Sequence, residues 1–278
     1  KKSIQSLLSE KRLAEALAEL RQTAQTLQNW QLNNRLDELE ESYKYMIRYV
    51  ADGCNDPQRE EIHNGITAKL MELADITEQE LTVQNSPKLY YETLRMERKY
   101  PRSLEALLEA YRECADKTAL FYELPADKRD SDQERTLLME KEKAANAVFK
   151  HIWVTFPVTA NEAGTLDKLF ADADATAEIK ELAMAATMLS LLEHYSEHLL
   201  LSLLDLYAAN AFNDASLSMK ALCCALIAMH CHRETIQHSS AISLRIANIA
   251  DSERGRRDIM TVFLQFIRSR STERISQK

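Results

Sequence analysis

Four glycines and five prolines in 278 residues constrain this chain more than any motif in it. Hairpins, phosphate-cradling loops and strand-to-helix turns need residues at positive φ, which glycine supplies at least cost. Both residue types fall well below average usage, so a sandwich of short strands or a doubly wound sheet would lack pivots. The apolar fraction of 45% is that of a globular protein able to bury a core. The expected class is all-α.

Helical spacing then runs along the whole chain. Leu7, Leu8, Leu13, Leu17, Leu20 and Leu27 predict one helix over residues 3–28. Leu36, Leu39, Tyr43, Ile47 and Val50 predict a second from Asn33, ending at a Gly53 cap. Asp56-Pro57 reads as the next helix start, with Ile62, Ile66, Leu70 and Leu73 as its buried stripe. Thr77-Glu78-Gln79-Glu80, Ser131-Asp132-Gln133-Glu134 and Thr159-Ala160-Asn161-Glu162 each have the capping-box pattern that opens a helix. Pro87 and Pro101 bracket an element over Lys88–Lys99, and another helix runs from Ser103 to about Glu123. The polar segment 124–132 is the expected boundary between N-terminal hairpins, 1–124, and a second array, 131–278.

Residues 180–249 carry the one internal echo. A shift of about forty pairs Lys180 with Lys220, Leu182 with Leu222, Ala185 with Ala225, His198 with His238 and Leu204 with Leu244. Repeats of this period stack helix pairs side by side. Leu182–Leu192 is free of charge, as a helix buried on more than one side must be, and Ala183, Ala185 and Ala186 allow close approach of neighbours. With the helix Asp258–Arg268 (Ile259, Val262, Phe263, Phe266, Ile267) as half of a third repeat, the block Lys180–Arg268 resembles HEAT/armadillo-like α-solenoids. The chain is also similar to tetratricopeptide-repeat-like helical-hairpin regions of large bacterial proteins, although Trp30 is followed by Gln31-Leu32-Asn33-Asn34 rather than the tetratricopeptide pattern. The resemblance implies a right-handed α-α superhelix of about 11–13 helices, an interaction surface, and no catalytic residues. The chain starts Lys1-Lys2, and its last helix lacks a closing hairpin partner, so the array is expected to continue beyond this sequence.

The net charge is −8, but residues 233–278 carry nine Lys/Arg against five Asp/Glu. An acidic balance disfavours nucleic acid, whose affinity comes largely from cations neutralising phosphates. The basic end (Arg254, Arg256, Arg257, Arg268, Arg270, Arg274, Lys278) is either a solvated face or a contact for an acidic partner. Five cysteines without metal-type spacing fit a reducing compartment, hence a cytoplasmic protein. Charged residues interrupt every apolar run before the roughly 20 residues that a membrane helix requires.

Chemical motifs are few. His194 and His198, four apart, are expected on one helix face, a metal-ligand spacing, with His230, Cys231 and His232 a repeat later; Tyr195 stands where a zinc protease needs Glu. The competing reading has His194, His198, His232 and His238 hydrogen-bonding at hairpin turns. Gly-rich phosphate loops and a Gly-x-Ser-x-Gly elbow are absent. The tyrosines at 43, 45, 49, 90 and 91 read as packing between helices. The expectation is a non-catalytic helical-repeat scaffold binding a protein or peptide, without cofactor or metal. Its contact residues are expected on second helices of the central hairpins: Glu197, Asp205, Gln237 and Arg245. The alternatives are a metal-dependent helical hydrolase at His194/His198 and a purely structural domain of a longer regulatory protein.

Overall fold

The computed structural model describes residues 2–27, 29–51, 59–83, 86–210, 214–237 and 239–276. Every regular element among them is helical, and the chain is all-α. Contacts divide it into two units, residues 1–99 and 100–278.

The first unit holds α1 (Lys2–Ser9), α2 (Leu13–Gln25), α3 (Trp30–Ala51), α4 (Arg59–Val83) and α5 (Leu89–Lys99). The single helix expected over 3–28 is two, because Lys11 takes φ 60° between them. Helix α4 is the hub, touching each of the other four. Leu13, Leu17, Leu20, Leu32, Leu36, Leu70 and Leu73 form the core. Ion pairs at the edges tie neighbouring helices: Arg21 with Asp37 and Glu40, and Arg35 with Glu72. The predicted break at Thr77 does not form, since α4 runs straight through it. Gln79 is buried and its amide donates to the Tyr90 hydroxyl at 2.9 Å, so tertiary packing outweighs a local capping pattern. Tyr90 and Tyr91 pack inward as expected, whereas Tyr45, Ile47 and Tyr49 are exposed. The Gly53 cap, the Asp56-Pro57 start and the Val50 side chain lie outside the described residues.

The second unit holds α6 (Leu104–Glu123), α7 (Ser131–Val154), α8 (Ala160–Ala171), α9 (Ala177–Glu193), α10 (Glu197–Asn210), α11 (Ala215–Cys231), α12 (Arg233–Ile236), α13 (Ser240–Asp251) and α14 (Glu253–Ser276). That makes fourteen α-helices among the described residues, against the 11–13 expected: the division at Lys11 and the one-turn α12 add two, and the unbroken α4 removes one. The segment between α6 and α7 lies inside this unit. Ser103 caps α6 through the Ala106 amide, and Thr159 with Glu162 completes the predicted capping box of α8. For α7 the cap is Asp130, one residue before the predicted box.

Helices α7, α9 and α11 neighbour one another in turn, and so do α6, α8, α10 and α13; α14 meets α13 and α11. Buried positions do recur between α9 and α11, but in a register of 38 rather than forty. Buried Ile179, Lys180, Ala183, Met184, Thr187 and Ser190 of α9 recur 38 positions later as buried Leu217, Ser218, Ala221, Leu222, Ala225 and Ala228 of α11. The helix starts (Thr176 and Asp214) and ends (His194 and His232) obey the same 38. A shift of forty instead pairs buried Lys180 with exposed Lys220. The following helices are displaced by 43: Ser196, Leu199 and Leu206 correspond to Ser239, Ile242 and Ile249. The five extra residues lie in the connection that contains α12, so no single shift fits both helices of the hairpin.

Candidate interaction surface

Successive helices of the second unit are joined by polar rungs as well as apolar seams. Lys141 of α7 reaches Glu178 of α9, and Lys220 of α11 reaches Glu181 of α9, each at 2.7 Å. Between α10 and α13, the Ser239 hydroxyl donates to Glu197 at 2.7 Å, and Arg245 Nη1 approaches Asp205 Oδ1 at 2.6 Å. The second approach is a charge contact rather than an aligned hydrogen bond. Burial pushes the Asp205 carboxyl above its ordinary value, and Arg245 offsets this only in part.

Three of the four predicted contact residues therefore lie on one seam. Glu197, Asp205 and Arg245 hold α10 against α13, and Gln237 is exposed just past α12.

The histidines separate. His194 is not on a helix face: it ends α9, is buried, and stacks on Phe156 with ring centroids 4.3 Å apart. His198 lies on α10 and is exposed. His232 ends α11, hydrogen-bonds the Leu191 carbonyl through Nε2, and lies 5.6 Å from the Tyr195 ring. His194 and His232 thus cap equivalent helices at hairpin turns, while His238 lies outside the described residues. Among the described residues no three His, Cys, Asp or Glu side chains cluster as metal ligands would. Cys223 and Cys224 are pushed up by burial, Cys224 to about 11, which leaves their thiols protonated and poorly nucleophilic near neutrality.

One buried polar pair was missed by the sequence reading. His151 Nε2 lies 3.0 Å from Glu162 Oε1 at the base of α8. The hydrogen bond to His151 holds the Glu162 carboxyl below its usual range. Beside the pair is a cavity of about 20 Å³ lined by Leu104, Ile152, Leu166 and Leu199. That is room for a water molecule, far short of the hundreds of Å³ that substrate pockets occupy. The pair is a structural bridge from α7 to α8.

Among the described residues, α14 carries more exposed large apolar side chains than any other helix. Val262 is buried and Ile259 half-buried against the rest of the unit. Met260, Phe263, Leu264 and Ile267 are 46–62% exposed. At 3.6 residues per turn, Met260, Leu264 and Ile267 fall on the side roughly opposite Val262. Val262 is the last buried position among the described side chains of α14: from Phe263 to Ser269 every residue is exposed, Phe266 one turn beyond Val262 included, where the sequence reading placed Val262, Phe263, Phe266 and Ile267 on one buried stripe. The spacing 260, 263, 264, 267 was legible; which face would be covered was not.

Gly255 fixes how this helix leaves α13. A Cβ there would overlap the Ile249 carbonyl oxygen and meet Ser252 Oγ at 2.8 Å. The same Ser252 hydroxyl accepts from the Gly255 amide at 2.9 Å. Farther along, the Tyr207 hydroxyl donates to Asp258 at 3.0 Å and is pushed up to about 12, chiefly by burial.

No family model, no curated protein and no solved structure matches the chain. Among the described residues no helix is long and apolar enough to cross a membrane.

Proposed function

We propose that the protein is a non-catalytic scaffold of stacked helical hairpins that binds another protein through the outer face of α14. The observation that carries this reading is the exposed apolar group Met260, Phe263, Leu264, Phe266 and Ile267 on a helix that packs against its unit through Ile259 and Val262. Contiguous exposed apolar rows on helices serve as docking faces for partner helices. The 38-residue recurrence of buried positions between α9 and α11 supports a repeat array of the α-α superhelical kind. The polar rungs along the second unit support a rigid frame rather than a mobile one.

The test places a photoreactive residue at Leu264 and, as a control, at exposed Glu142 on α7. Illumination in extract of the source cells is expected to give a discrete cross-linked protein from position 264 and none from 142. Identical or empty patterns at both positions contradict the reading.

A further inference from the structure

We draw no further inference here: the strongest candidate, the exposed apolar surface patch on the last turns of α14 (Phe263, Leu264, Phe266 and Ile267), carries nothing further, because nothing in the structure shows what covers it.

Discussion

Helices α11 and α14 are both apolar, and they spend that character differently. In α11, Leu217, Ala221, Leu222, Ala225 and Ala228 are buried and Lys220 is the sole Lys, Arg, Asp or Glu, paired with Glu181. In α14, Val262 is buried while Met260 and Leu264, on the far side of the same helix, are bare and bordered by arginines. An apolar helix surrounded by neighbours has no use for charge, because each buried ion must be paired. One that keeps its arginines beside a bare row keeps them for a partner or for water. The distribution of charge around the apolar positions, rather than their number, separates an interior helix from a docking helix.

The sharpest way to break this comparison is to shorten one leucine on each helix. Leu222→Ala, fully buried, is expected to cost about 2–5 kcal/mol, whereas Leu264→Ala is expected to stay within about 0.5 kcal/mol. Chemical denaturation of the two variants measures the contrast, and equal losses would place α14 in the interior. Next in size is Gly255→Ala. Its Cβ has to displace the Ile249 carbonyl or bend the turn, at a cost of about 1–3 kcal/mol. Hydrogen exchange is expected to show the loss in α13 and α14 before α9 and α11.

Ser239→Ala removes both the cap on the Ile242 amide and the hydrogen bond to Glu197. A lost cap costs about 1 kcal/mol, so its unfolding midpoint should fall between those of Gly255→Ala and Leu264→Ala. Below Ser239→Ala at neutral pH comes Glu162→Gln. The folded-state Glu162 carboxyl is held below its ordinary value by His151, so its contribution is complete above the unfolded carboxyl's titration. It is lost as pH falls through the folded one. Stability measured from pH 7 downward should therefore fall less steeply in Glu162→Gln than in the wild type, and the two curves should converge in acid.

Much of the fold was legible because local signals and packing agree. Ser103 and Thr159 cap the helices their patterns announced, and the scarcity of glycine excluded sheet-rich folds. Where the reading failed, a distant contact outweighed a local one. Thr77 opens no helix because Gln79 is held inside α4 by Tyr90. The forty-residue shift failed because the α9–α11 register is 38 and the α10–α13 register is 43, and averaging the two hides both. His194 and His198 share a spacing but not a helix, since α9 ends between Glu193 and His194. Another contact that local spacing does not announce is the pairing of Glu197 with Ser239 and of Asp205 with Arg245 across α10 and α13, some forty positions apart. The α14 row was visible as spacing. Periodicity alone does not say where along α14 burial stops, and it stops after Val262.

The most direct measurement is carbene footprinting of the full chain, free and then saturated with the cross-linked protein. The account predicts that Met260, Phe263 and Leu264 label strongly in the free chain and become protected in the complex, while exposed Leu120 on α6 labels equally in both. Labels on α14 that are already weak in the free chain, or that do not change on binding, would contradict it.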